Sequence, residues 1–341
     1  MSASTQTLET NADKVREEIG RERLIALYKR MVLIREFEQA CAKAFQAKKI
    51  AGFLHLYSGQ EAVATGFFDH LETSRDYTVT SYRCHAQALL SGLEPKELMA
   101  ELFGKVTGNV RGKGGSMHFF SKELKMLGGH GIVGGQTPVG TGAAFSCKYR
   151  DTHGVSVTFM GDGAVAQGTF HESLNIASLW GLPALYVIEN NQYGMGTACS
   201  RAVAVENMAE AKAPGYNMRA YTFDGLDLYA SWKTAQEAVA YARKTYKPVL
   251  IEAKTYRYFG HSLSDPGLYR TKDEVKKYRE IDPIGRIAAD LVKVEWATDA
   301  DIEGWGEEIR GRIQEAVAYA EDSPVPPMSE LMEHVLAPDT V

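Results

Sequence analysis

Residues 155–191 restrict the fold of this chain more than any other stretch. Val155-Ser-Val-Thr-Phe-Met160 alternates and is rich in β-branched side chains, which predicts a strand. Gly161-Asp162-Gly163 ends it. Phe170, Leu174, Ile176, Ala177 and Trp180 then give a helical stripe, closed by Gly181 with Pro183 beyond. A second apolar run, Ala184-Leu-Tyr-Val-Ile188, leads into Glu189-Asn190-Asn191. Strand, helix, strand makes a βαβ unit, and that implies a parallel sheet with a right-handed crossover.

Around this unit, residues 1–12 read as disordered. Residues 13–50 read as a packing helix, with Leu24, Leu27, Met31 and Ile34 at spacings of three and four. Two glycine bursts lie within 104–142, a backbone-driven region where flexibility or close approach to a ligand is wanted. A helix is expected over 235–246, a strand over 248–253 and a polar loop over 256–270. The remainder is helical, notably 299–321. With 341 residues, one large α/β domain plus a helical extension fits, as do two modest domains.

The net charge of −5 gives no footprint for nucleic acid. Cys41, Cys84, Cys147 and Cys199 form no CxxC pair, so reduced thiols are expected. No apolar run is long enough to span a membrane. The N-terminus has neither an apolar core nor an arginine before Arg16, so a cytoplasmic location is expected.

The chemistry sits at the strand ends. Ligands of an open parallel sheet bind beyond the carboxyl ends of its strands. Asp162 and Asn191 are 29 positions apart, yet neighbouring strands lie only roughly 4.8 Å apart. One carboxylate and one amide oxygen are thereby expected at one rim. Beside a helix N-terminus they suit a Mg²⁺ clamped by a diphosphate, because magnesium takes oxygen ligands and shares them with phosphates. The amides after Gly163 suit the diphosphate itself.

Gly161-Asp162-Gly163 followed by Asn190-Asn191 resembles the signature of thiamine-diphosphate enzymes. With Ser58-Gly59-Gln60-Glu61-Ala62, Tyr82-Arg83, Lys113-Gly-Gly-Ser-Met-His118, Gly131-Ile-Val-Gly134 and Tyr256-Arg-Tyr-Phe-Gly-His261, the resemblance runs from about Leu24 to Met332. It is to the alpha subunits of thiamine-diphosphate-dependent 2-oxoacid dehydrogenases, in the pyruvate branch. The acetoin and branched-chain dehydrogenases are the alternatives. The resemblance implies an α/β fold, an open parallel sheet flanked by helices, with helical extensions at both ends. We place the cofactor domain at 13–275 and the C-terminal helical extension at 276–341.

By the same resemblance, Asp162 and Asn191 hold Mg²⁺ through their side chains and Tyr193 through its carbonyl. Gly163 and Ala164 lie against the diphosphate, and Tyr82, Arg83 and Arg257 grip it. Gly131 and Val133 meet the aminopyrimidine ring with their backbone. His55 and His261 line the catalytic centre, and His261 also touches the cofactor. A near-neutral pKa suits such histidines to proton handling. His85, His130 and His171 read as structural.

The implied reaction is oxidative decarboxylation of a 2-oxoacid with acyl transfer to the lipoyl domain of a dihydrolipoyl acyltransferase. The implied assembly is an alpha2beta2 heterotetramer. The beta subunit would supply the glutamate beside the pyrimidine, so the chain alone is expected to be inactive. Glu61 falls in a helix-start context and is not that glutamate. Ser262 and Ser264 stand on the His261 loop. However, Leu268 precedes Tyr269-Arg270 and the loop is one residue short, so control by phosphorylation is not expected.

Gly129-His-Gly131-Ile-Val-Gly134 also fits GxGxxG. Residues 121–127 make a poor strand and Pro138 interrupts the segment after the motif, so NAD binding is not expected there.

Overall fold

The computed structural model describes residues 5–6, 11–333 and 335. The chain opens with β1 (Thr5–Gln6), α1 (Ala12–Ile19), α2 (Arg21–Gln46) and α3 (Glu61–Phe68), followed by β2 (Tyr77–Ser81), α4 (His85–Ser91) and α5 (Pro95–Leu102). Next come β3 (Met126–His130), α6 (Gln136–Tyr149), β4 (Ser156–Gly161), α7 (Gly168–Trp180) and β5 (Ala184–Asn190). A small hairpin, β6 (Tyr193–Gly194) with β7 (Thr197–Ala198), precedes α8 (Cys199–Ala202) and α9 (Met208–Lys212). The chain then runs through β8 (Arg219–Asp224), α10 (Leu228–Thr245), β9 (Val249–Lys254), α11 (Lys272–Glu280), α12 (Pro283–Lys293) and α13 (Asp299–Asp322).

The main sheet is wholly parallel, in the order β1-β8-β9-β5-β4-β2-β3. The βαβ unit appears where the pattern puts it, with β4 and β5 in continuous register from Ser156↔Ala184 to Gly161↔Glu189. Both central strands are almost wholly buried, as a sheet covered on both faces requires. One face packs α3 and α10 through Val63, Phe67, Ala235 and Val239. The other packs α7 and α9 through Phe170, Leu174, Met208 and Ala209. A third cluster joins α2 and α5 to α12 and α13, so the helices from the two ends of the chain share one apolar interior.

Several expectations change in detail. The helix expected over 13–50 is two helices, because Gly20 at φ 78° turns the chain between α1 and α2. The helix expected from 235 begins at Leu228, where Asp227 caps the amides of Tyr229 and Ala230. The disorder expected of residues 1–12 falls largely outside the described residues. Within that stretch, Thr5–Gln6 pairs with β8, and Asn11 caps α1.

Of the two contextual grounds against GxGxxG, one stands and one fails. Residues 122–125 are turn and only Met126 and Leu127 of the 121–127 stretch belong to β3, whose end the motif overlaps. Pro138, however, sits in the first turn of α6, where a proline is tolerated. The acid also counts against a dinucleotide site: Asp151, about twenty residues on as the motif asks, is exposed on the turn before β4, at the amino rim of the sheet.

Candidate active site at the carboxyl rim

Parallel strands send their following loops to one rim, and five strands here do so. Tyr82 and Arg83 follow β2, Gly131 and Val133 follow β3, and Asp162, Gly163 and Ala164 follow β4. Asn191 and Tyr193 follow β5, and Arg257 and His261 follow β9. Only His55 arrives otherwise, from the irregular segment before α3. All of these residues line one cavity of about 520 Å³. The structure thus brings every sequence-predicted site residue to one place.

The charges in that cavity are out of balance. Arg83 is buried and donates to the carbonyls of Leu56 at 2.5 Å and His261 at 2.9 Å. Arg257 is buried and donates to Phe259 O, Tyr193 O and Met195 O, and to Tyr269 Oη at 2.6 Å. Among the described residues neither forms an ion pair, unlike the well-paired Arg35 and Arg243. Burial, then the charge of Arg257, lowers Arg83 to about 10. Burial likewise lowers Arg257. Two desolvated guanidinium forks without a carboxylate are suited to an anion with several oxygens.

The same cavity holds a buried carboxylate and an unpartnered amide oxygen. Asp162 is 2% exposed, and burial pushes its carboxyl up to about 6. Asn191 donates from Nδ2 to Gln60 Oε1 at 3.2 Å, while its Oδ1 is buried without a donor. Buried polar atoms left in this way are rare and costly. An orphaned amide oxygen beside a desolvated carboxylate fits a hard cation. Tyr193 lines the same cavity, and its carbonyl accepts from Arg257 at 3.3 Å, a bond that uses one of its two lone pairs. Gly163 and Gly194 face each other, and a Cβ on either would make ordinary contact with the other's Cα at 3.5–3.6 Å. Without side chains, both present bare backbone to the cavity they line. At Gly131 a Cβ would make only ordinary contact with the His118 ring, so a side chain there would encroach on the cavity rather than on the protein.

His55, Tyr82 and His261 form a cluster of rings. The centroids of His55 lie 4.6 Å from Tyr82 and 5.1 Å from His261, with the two imidazoles near perpendicular. The near-neutral pKa expected of both histidines is displaced. Burial, then Arg83, pushes His55 down to about 2 and His261 to about 4. Both present a buried, unpartnered Nδ1. As the sequence suggests, Glu61 opens α3. It accepts from Arg35 at 2.6 Å and from the Gly59 amide at 2.9 Å, away from the cavity.

Sequence reasoning missed Gln60, Gln136 and Glu189, which also line the cavity. Gln60 lay inside a quoted motif, and Glu189 stands next to Asn190-Asn191, so proximity to a motif was the available signal. Glu189 is bonded by the Tyr57 hydroxyl, and burial raises it to about 7.

A helix-flanked parallel sheet whose carboxyl rim gathers anion-gripping arginines with a cation-ready carboxylate and amide is the frame of a diphosphate-cofactor enzyme. The comparisons make the class specific. The dehydrogenase E1 component family matches residues 29–329. The chain is 44% identical over 315 residues to the pyruvate dehydrogenase E1 component subunit alpha of Rickettsia conorii, covering 92% of this chain and 96% of that one. It is 44% identical over 317 residues to the subunit of that name from Zymomonas mobilis, covering 93% and 89%. It is 43% identical over 325 residues to the chloroplastic subunit alpha-3 of Arabidopsis thaliana, covering 94% and 76%. The chain belongs to the dehydrogenase E1 component family, whose members depend on thiamine diphosphate.

Proposed function

We propose that this chain is the alpha subunit of a pyruvate dehydrogenase that decarboxylates pyruvate oxidatively and passes the acetyl group to a lipoyl domain of an acyltransferase component. The family and the names of its relatives support the activity. The observation that carries the reading is the imbalance at the rim: two unpaired buried guanidiniums in one cavity with Asp162 and the free Asn191 Oδ1.

In this reading Arg83, Arg257 and Tyr82 hold the diphosphate, with the bare backbone at Gly163 and Ala164 against it. Asp162, Asn191 Oδ1 and the Tyr193 carbonyl hold Mg²⁺. Gly131 and Val133 face the pyrimidine. When bound, thiamine diphosphate supplies the carbanion chemistry that lets carbon dioxide leave the 2-oxoacid. The chain's own tasks are binding, orientation and the exclusion of water. His261 and His55, held neutral by burial and Arg83, each keep one N–H and one acceptor nitrogen and are placed to hydrogen-bond the reacting groups.

The carboxylates on the cavity wall are Asp162 and Glu189, and Glu189 is engaged by Tyr57 and Gln87. This supports the reading, implied by the resemblance, that a beta subunit supplies the glutamate beside the pyrimidine. Exposed Phe53, Ile132, Val133 and Met195 around the opening support a second chain closing it. Among the described residues no helix is long and apolar enough to cross a membrane.

The test is calorimetric titration of thiamine diphosphate with Mg²⁺ into the chain co-expressed with a beta subunit, followed by turnover of pyruvate, 2-oxoisovalerate and acetoin. Saturable Mg²⁺-dependent binding, lost in Asp162→Asn, with pyruvate preferred, is expected. Cofactor binding unaffected by Asp162→Asn would refute the site, and preference for another substrate would refute the pyruvate reading.

A further inference from the structure

One buried polar cluster behind the cavity has no part in the reading above. Glu38 on α2, His85 at the start of α4 and Ser116 in the glycine-rich loop are each 5% exposed or less. Glu38 Oε2 lies 2.8 Å from His85 Nδ1, and His85 Nε2 lies 2.8 Å from Ser116 Oγ. A carboxylate only accepts, so Nδ1 carries the hydrogen, and Nε2 shares a hydrogen bond with the Ser116 hydroxyl. This is the connectivity of a nucleophile–base–acid triad.

It does not work as one. Ser116 Oγ is buried and already accepts the His55 amide at 3.3 Å. Cys41 stands near enough to Glu38 and His85 to suggest a metal cluster. Both ring nitrogens of His85 are already engaged, so no ion can enter without dismantling the network.

The cluster reaches the cavity through the segment at 55–57, which belongs to no helix or strand and whose amides therefore have no ladder partners. Ser116 takes the amide of His55, and Glu38 Oε1 takes that of Tyr57 at 2.7 Å. The carbonyl between them, at Leu56, accepts Arg83, whose other arm holds the His261 carbonyl. The His55 ring itself makes no hydrogen bond among the described residues, and its Nδ1 is unpartnered. Its aim is set by its backbone.

We infer that Glu38, His85 and Ser116 are positioning residues, fixing the His55 ring and the Arg83 guanidinium relative to each other across the cavity. The inference rests on the functional reading above, and it is tested separately from it.

The experiment is a double-mutant cycle on the complex with a co-expressed beta subunit: Ser116→Ala, His55→Gln and both, with kcat and KM for pyruvate read at saturating cofactor. A displacement of about 1 Å can lower a rate on the order of a hundredfold. Ser116→Ala is expected to lower kcat by roughly ten- to a hundredfold on that basis, with KM nearly unchanged. Ser116→Thr, which keeps the hydroxyl, is expected to recover part of the loss. In the His55→Gln background most of the Ser116 effect should be lost, leaving only the part carried through Leu56 to Arg83. Additive losses, or native kcat in Ser116→Ala, overturn the inference.

Glu38→Gln replaces Ser116→Ala in the same cycle should the latter fail to assemble. Hydrogen exchange at the His55 and Tyr57 amides is read in the same proteins whether or not pyruvate is turned over. Faster exchange there, with α3 still protected, supports the relay, and unchanged exchange overturns it. A native complex without pyruvate turnover counts against the functional reading alone.

Discussion

Replacing Glu101 by glutamine should release the loop that carries Met117 to the cavity and Ser116 behind it. Glu101 is fully buried on α5, and its carboxylate collects four backbone amides from the loop. Oε2 accepts from Val110 at 3.0 Å and Gly112 at 2.7 Å, and Oε1 accepts from Gly114 at 2.7 Å and Gly115 at 3.1 Å. Glutamine keeps one acceptor oxygen and turns an NH2 toward the other pair of donors. Two amides then lose their partner, at about 1–3 kcal/mol each. The loop is half-buried, so water recovers part of this, leaving a local loss of about 2–4 kcal/mol. At roughly 1.4 kcal/mol per decade, that corresponds to a fall in protection of about 30- to 700-fold. Hydrogen exchange over residues 110–115 in the assembled enzyme measures it directly. Protection within threefold of native in Glu101→Gln, with α5 intact, would show that the carboxylate does not organise the loop.

Three further outcomes follow from the cavity and the core. Burial raises Asp162 to about 6 and Glu189 to about 7. Raised carboxyl pKa values give stability that is full below about pH 4 and lost as pH rises through 6 and 7. His55, His261 and His70, lowered to about 2, 4 and 4, act the other way because the unfolded chain takes up their protons as pH falls below about 6.5. The carboxyl effect is therefore read against Glu189→Gln: in a chelator without ligand, the native complex should lose more stability than Glu189→Gln between pH 5.5 and pH 8, and an equal pH dependence of the two would contradict it. Arg257→Lys loses the planar fork shared by Tyr193 O, Met195 O and Tyr269 Oη, so cofactor affinity by calorimetry should fall about 10- to 100-fold. Gly140→Ala would set a Cβ 1.9 Å from Thr158 Oγ1, destabilising by about 1–3 kcal/mol in urea unfolding. Thr158→Ala in the same chain should restore most of that.

The parts of the site that were legible share one cause. Asp162 and Asn191 terminate strands whose hydrophobic runs are unmistakable, and parallel pairing carries their loops to a single rim. Arg257 follows β9, another readable apolar run. The strand at Tyr77–Ser81 was not legible, because its threonine-rich five residues lack an apolar signature; its burial comes from neighbours on both sides. Pro138 misled because a proline stops a helix interior but not its first turn. The expectation that His85 is structural held no hint of its partners. Glu38 and Ser116 are 47 and 31 positions away, on α2 and in a loop, and no periodicity links them.

The first glycine burst has a physical account of the same tertiary kind. Gly108, Gly112 and Gly114 each sit where a Cβ would strike Glu101, Gly104 or His118 at 2.4–2.5 Å, so the loop can fold around the carboxylate only without side chains. From the far side, Arg111 and Lys113 fasten it to Glu330 of the C-terminal turn. The glycines therefore serve close approach rather than flexibility, and the approach is to a carboxylate of the chain itself. The second burst is mixed. Gly128, Gly129 and Gly140 also serve close approach, to Phe120, Met117 O and Thr158 at 1.9–2.3 Å, whereas Gly131 meets only ordinary contact with the His118 ring and Gly134 at φ 84° turns the chain into α6. One compositional signal thus covers several jobs, among them a self-made anion nest and a bare stretch of cavity wall. Only the positions of the buried charges tell them apart: Glu101 fills the nest from within, whereas Arg83 and Arg257 have no such partner among the described residues and leave their place for a ligand.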